Sequence, residues 1–280
     1  QQAGGALNVA STQDMMLNNA SLTSGGKMRL TSDGKLQATG GGATSKGALT
    51  VNSSQDMALT NARLVGQGNT TLSSNGKLNI NGGGVSGNGA ALVVSSQKEM
   101  TLTNTTLVGQ GKMTLAAGDN LTVNGGSLSS RGELSVTSGQ GMTVTNAAVG
   151  SDASTTLTSG GTLTANAGSL SAGKDLTLKG QQLVLDNRNR ADASGNVRLE
   201  GENLTNQGQI NAAGDLAISG NSVDNSGQLA AKGRVDAQTR ALNNSGSLQG
   251  NGVTLQGQTL TNKGTLQSGS QLAINAGTLN

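Results

Sequence analysis

The sequence predicts an all-β protein whose chain coils into a parallel β-solenoid. Three observations predict it. Apolar residues return at fixed long intervals, they alternate with polar residues inside short stretches, and Pro and aromatic residues are absent. Of the 280 residues 45 are Gly, so by composition alone the chain is either a low-complexity coil or builds its core from small repeated increments, and periodicity decides between them. With 18 basic and 15 acidic residues the net charge is only +3, so the high-charge half of the disorder signature is missing.

The long interval comes first. Leu7, Leu49, Leu92, Leu134 and Leu176 stand 42, 43, 42 and 42 residues apart, and Met15, Met57, Met100 and Met142 keep the same step. Each such unit has two similar halves: Met57-Ala58-Leu59-Thr60-Asn61 matches Leu78-Asn79-Ile80-Asn81-Gly82 at a distance of 21. The last slot of that match reads Asn19, Gly40, Asn61, Gly82, Asn104, Gly125 and Asn146 along the chain. Asn and Gly share tolerance of the left-handed backbone region, which predicts a corner there. Residues 1–180 are accordingly read as double-coil repeats of about 42 residues.

Beyond the middle the interval shortens. Val197, Leu216, Val235, Val253 and Leu272 are 19, 19, 18 and 19 apart, so residues 197–280 are read as 19-residue repeats. Four copies share apolar-x-Asn-x-Gly-x-apolar, from Leu204 to Ile210, Val223 to Leu229, Leu242 to Leu248 and Leu260 to Leu266. Residues 181–196 fit neither register and are expected to form an irregular junction loop within a single solenoid segment spanning 1–280.

Inside every copy the alternation has period two, as in Leu216-Ala217-Ile218 and Val253-Thr254-Leu255, which is the pattern of a strand with one buried face. No window repeats apolar residues at helical spacing over three turns. Strands of three to five residues cannot stand alone. Stacked one lap above another at about 4.8 Å, they bury each Leu on the Leu of the next lap. About 14 coils of roughly 19–21 residues follow. A slim interior leaves little room for rings, and strands with ladder partners on both sides can ill spare the N–H that Pro lacks.

The absences exclude much chemistry. Without His or Cys there is no Ser-His-Asp or Cys-His nucleophile, no zinc site of the usual ligands and no thiolate cluster; without aromatics there is no base-stacking platform. No cofactor and no nucleic-acid partner is expected, and no apolar stretch approaches a membrane span. Gly82-Gly83-Gly84-Val85-Ser86-Gly87 satisfies G-x-G-x-x-G but is followed by the strand-like Ala91-Leu92-Val93-Val94 instead of a helix, so it reads as a corner. The closest carboxylates, Glu200 and Glu202, alternate with Arg198 on an outward strand face. With the remaining acidic residues strewn singly, no polysaccharide-cleaving carboxylate groove is expected.

Gly214-Asp215-Leu216-Ala217-Ile218, the Asn-x-Gly-x-apolar units and variants such as Gly173-Lys174-Asp175-Leu176-Thr177-Leu178 resemble the repeats of filamentous haemagglutinin-like exoproteins of bacterial two-partner secretion. That group includes the stalks of contact-dependent growth-inhibition toxins. The resemblance implies a right-handed parallel β-helix, export through an outer-membrane two-partner secretion transporter, and a place on the bacterial cell surface or in the secreted fraction. It implies a non-enzymatic shaft that projects a distal adhesin or toxin element. The chain opens on Gln and both its ends stop within a repeat, so end-to-end continuation with flanking repeats is expected.

One stretch invites a binding reading instead. Arg188, Arg190 and Arg198 make the junction locally basic and are the candidate contacts for an anionic ligand, a sulfated glycan or a cell-surface receptor. A structural seam with exposed charges is the plainer reading of the same residues.

Overall fold

A computed structural model describes residues 2–280 as a parallel β-solenoid of about 13 turns without a helix. Laps of 21 residues early in the chain and 19 later fit the expected coil length. Contacts divide the chain into two units, Gln1–Gln140 and Gly141–Asn280, and each is described by itself.

In the first unit the laps carry three short strands, beginning with Leu7–Ser11, Met15–Asn18 and Ser21–Ser24, and in two laps the second and third run on as Met100–Gly109 and Leu121–Ser130. They define three faces, A, B and C, joined by corners AB, BC and CA. Face A stacks in register through Leu7, Met28, Leu49, Thr70, Leu92, Met113 and Leu134. The expected alternation holds at each level. In Leu49–Ser53, Leu49, Val51 and Ser53 point inward while Thr50 and Asn52 face out. Leu49, Leu72, Leu92 and Met113 are fully buried, and each such side chain contributes about 1.5–3 kcal/mol.

The corners explain why the sequence repeats every two laps. At corner BC, Asn19, Gly40, Asn61, Gly82, Asn104 and Gly125 all have positive φ, between 48° and 70°, as the Asn/Gly exchange predicts. The strict alternation has a second cause. A Cβ on Gly40, Gly82 or Gly125 would collide with Oδ1 of Asn19, Asn61 or Asn104 on the lap before. The Asn amide thus adds to the backbone's preference for Gly on the next lap.

Corner AB alternates in the same way. Asp14 Oδ1 accepts the backbone N–H of Lys35 at 2.8 Å, and Asp56 Oδ1 accepts that of Lys77 at 2.9 Å. Gly34 and Gly76 sit against those carboxylates. Inward serines close the remaining polar needs: Ser32 Oγ donates to the carbonyls of Gln13 and Lys35, and Ser74 Oγ to those of Gln55 and Lys77. Each of these carbonyls also accepts a backbone N–H, so the serines add a second bond there and satisfy their own buried hydroxyls.

The second unit begins with the same corner. Asn146 has φ 51°, and Ala167 occupies the next left-handed position at φ 49°, where Asp186 Oδ1 accepts its N–H at 2.9 Å. The lap then shortens. Face A runs in register through Thr155, Leu176, Val197, Leu216, Val235, Val253 and Leu272. Side chains one lap apart thus superpose as the periodicity requires.

From residue 206 corner BC holds a ladder of buried amides. Asn206 Nδ2 donates to Asn225 Oδ1 at 2.8 Å, Asn225 to Asn244 at 2.7 Å and Asn244 to Asn262 at 2.7 Å. Each donor also reaches a backbone carbonyl beyond the next lap's Asn, those of Gln228, Ser247 and Thr265. Such an amide left unpaired in the interior would cost about 1–3 kcal/mol. Corner CA carries a parallel device. Asp175, Asn196 and Asp215 accept the backbone N–H of Asn196, Asp215 and Arg234 at 2.7–2.8 Å.

The expected junction loop at 181–196 is much narrower than the broken register implies. Gln182–Leu185 and Arg190–Ala193 are strands, paired in register with Asn203–Asn206 and Gln209–Ala212. Only residues 186–189 form a turn, against two residues, 207–208, at the same corner of the next lap. The register is lost in sequence because a longer turn is inserted at one corner, while the strands on either side keep their ladders.

Candidate functional site

The residues singled out by their charge lie at the centre of the second unit, where the lap shortens. The structure does not gather the three arginines. Arg188 sits in the 186–189 turn, Arg190 opens a face C strand, and Arg198 lies on a face A strand. All three are exposed, and each is matched by a carboxylate: Arg188 by Asp186 at 3.5 Å, Arg190 by Asp192, and Arg198 by Glu200. Lys179 approaches Glu200 from the preceding lap at 3.1 Å. The hydrogen bond from Arg198, then that from Lys179, holds the Glu200 carboxyl below its ordinary value. Hydrogen bonding to Asp192 in turn raises the Arg190 guanidinium above its usual value.

The strand geometry accounts for these pairs. Residues at i and i+2 share a face, so Arg190 meets Asp192 and Arg198 meets Glu200, while in-register stacking sets Lys179 beside Glu200. Val197 and Leu199 point the other way and are fully buried. Glu202 lies past the end of its strand, in corner AB, and does not join Glu200 there. Among the described residues no three His, Cys, Asp or Glu side chains are grouped so as to hold a metal ion.

Two shallow depressions follow the same unit. One, of about 290 Å³, runs beside corner CA past Asp192, Asn211, Ala230, Lys232 and Gln249. The other, of about 330 Å³, follows corner BC past Thr205, Asp224, Asn243, Ser245 and Lys263. Their carboxylates are engaged, since Asn211 Nδ2 donates to Asp192 at 2.9 Å and Asn243 Nδ2 to Asp224 at 3.2 Å. What these surfaces offer is amide and hydroxyl groups repeated at lap spacing, without a concentrated charge.

The features that define this half are therefore its corners: Gly followed by Asp or Asn before an apolar strand, and an inward Asn two residues before Gly. Residues 143–220 and 184–280 match the haemagglutinin repeat family. The matched span falls within the second unit, and the haemagglutinin-repeat signature coincides there with the carboxylate and amide ladders. In Gly214-Asp215-Leu216 the carboxylate caps the lap above while Leu216 enters the core. Gly214 lies where a Cβ would press on Asn196 Oδ1. No curated protein and no solved structure matches the chain.

Sequence reading found the positions of these corners but not the work of their side chains. It took the Asn of the 19-residue repeats as a pattern marker, although its fixed place beside an inward apolar residue signalled a buried amide. The inward serines carried a signal as well. Ser32, Ser53 and Ser74 recur every 21 residues in the phase of the core.

Proposed function

We propose that this chain is part of the shaft of a bacterial surface fibre, a filamentous adhesin or the stalk of a contact-dependent inhibition toxin. In this reading it is exported by a two-partner secretion transporter and holds a distal receptor-binding or toxin element away from the cell. The reading rests above all on the self-matching stack of the haemagglutinin repeats. Leu216, Val235, Val253 and Leu272 superpose, and the amides of Asn206, Asn225, Asn244 and Asn262 form a continuous row. Each lap offers its successor what its predecessor offered it, so length is set by repeat number and stiffness is the working property.

The test is to remove residues 216–252 from the parent protein, which takes out two laps and joins Asp215 to Val253 in phase. The expected outcome is normal export of a fibre about 10 Å shorter, with target binding unchanged in affinity. Loss of target binding from a fibre that is exported and folded would overturn the shaft. A direct glycan or receptor contact by Arg188, Arg190 and Arg198 is the rival. Their pairing with Asp186, Asp192 and Glu200 speaks against it. Substituting all three by Ala leaves heparin and cell binding unchanged if the segment is a shaft and abolishes them if it is a contact.

A further inference from the structure

Three buried side-chain atoms among the described residues have no hydrogen-bond partner: Nδ2 and Oδ1 of Asn189, and Oδ1 of Asn206. Asn189 is 2% exposed and Asn206 wholly buried, so neither amide is served by bulk solvent. They belong to one place, the inside of corner BC where the 21-residue lap gives way to the 19-residue lap. The Gln209 N–H donates to the Asn189 carbonyl at 3.0 Å, which puts Asn189 one lap below the 207–208 corner. Asn206 Nδ2 reaches across that corner towards the Gly208 carbonyl at 3.4 Å.

The ladder fixes the direction of the unpaired oxygen. Asn225, Asn244 and Asn262 each accept through Oδ1 from the Asn of the preceding lap. Asn206 is the first rung, and the residue in register below it is Leu185, which has nothing to donate. Its Oδ1 therefore faces the lap that holds Asn189. That lap turns in four residues where the next turns in two, which widens the corner between them.

We infer that an ordered water molecule occupies this corner, accepting from Asn189 Nδ2 and donating to both Asn189 Oδ1 and Asn206 Oδ1, and so closes the open end of the asparagine ladder. Water is the ligand class that suits both polarities. A monovalent cation would satisfy the two oxygens but repel the Nδ2–H donor, and an apolar filler would satisfy neither. Buried waters of this kind make two to four hydrogen bonds to groups the fold leaves unpaired. Direct closure, Asn189 Nδ2 to Asn206 Oδ1, is the remaining alternative and is not what the side chains do here.

A high-resolution crystal structure of the chain, with a second crystal soaked in rubidium chloride, decides the matter. The expected result is a single water peak bonded to both amides and no anomalous signal. Asn189 and Asn206 bonded directly across a dry corner, or a rubidium peak between them, overturns the inference. In solution, a long-lived water cross-peak to the Asn189 side-chain NH₂ is expected, and Asn189→Leu should abolish any water cross-peak at the Asn206 amide. Persistence of the latter in the folded variant overturns the bridging role. The crystal result stands by itself if Asn189→Leu does not fold.

Discussion

The two kinds of lap solve one problem in different ways. In the 21-residue laps of the first unit, a corner is made by unlike partners: Asn beneath Gly at corner BC, Asp beneath Gly-Lys at corner AB. A partner pair needs two laps to complete, and the sequence repeats every 42 residues. In the 19-residue laps the corner residue is its own partner. A carboxamide both donates and accepts, so Asn206, Asn225 and Asn244 can be identical and still bond in series. At corner CA, Asp175, Asn196 and Asp215 each cap the next lap's backbone in the same way, and in Gly195-Asn196 and Gly214-Asp215 the Gly and the cap sit side by side. The sequence period thus reports whether the corner chemistry is self-complementary, although the structural period is one lap in both cases.

The sharpest way to break this comparison is to remove single laps. Deleting residues 28–48 would bring Asn61 above Asn19 and Asp56 above Asp14. A Cβ would then press on an amide, and the cap that the Gly34-Lys35 backbone completes would be lost. A loss of about 4 kcal/mol is expected, from overpacking plus an unmet cap and opposed like charges. Deleting 28–69 restores the alternation, and deleting 216–234 preserves it. Both should stay within about 1 kcal/mol of the parent in denaturant unfolding, apart from the small change in core size. Equal losses for the deletions of 28–48 and 28–69 would end the partner-pair account.

A point substitution probes the same logic with a smaller effect. Gly82→Ala places a Cβ at φ 66° against Asn61 Oδ1. The left-handed backbone costs about 1–2 kcal/mol and the collision adds to it. Asn61→Gly in the same chain removes the collision alone, so the double variant should recover about 1 kcal/mol relative to the sum of the two single changes. A strictly additive cycle would show that the amide yields freely and that only the backbone selects Gly.

These effects also mark how far the fold was legible. The left-handed corners could be read because Asn and Gly share a backbone property visible in composition, and all seven predicted positions from Asn19 to Asn146 have positive φ. The stacking of Leu216, Val235 and Val253 could be read because apolar periodicity maps directly onto burial. Three faces per lap could not, since strands of four or five residues leave no periodic trace of the angle between them. Nor could the regular strands at 182–185 and 190–193 be seen: four residues turning over two slide the register without disturbing the ladder on either side. At the arginines, charge was visible in sequence and its neutralisation was not. Asp192 and Glu200 cancel their neighbours only because i and i+2 share a strand face.

The smallest expected effect compares the ion pairs of the two regions. Lys77 and Glu99 in the first unit are about half exposed, at 50% and 46%, whereas Glu200 is 21% exposed and is held by both Arg198 and Lys179. The Glu200 carboxyl is lowered in the folded protein, first by the Arg198 hydrogen bond and then by that of Lys179. A lowered acid stabilises the fold at pH above its ordinary unfolded value, and the contribution disappears as pH falls through the lower folded one. Glu200→Gln should therefore reduce stability at neutral pH by up to about 1 kcal/mol and converge on the parent in strong acid. Glu99→Gln should cost less at neutral pH, because solvent and salt screen its ion pair more fully. Unfolding midpoints measured from pH 7 down to about 2, below the ordinary carboxylate range, test both. A Glu200→Gln deficit that persists undiminished at the acid end would assign the residue's effect to packing on face A rather than to its charge.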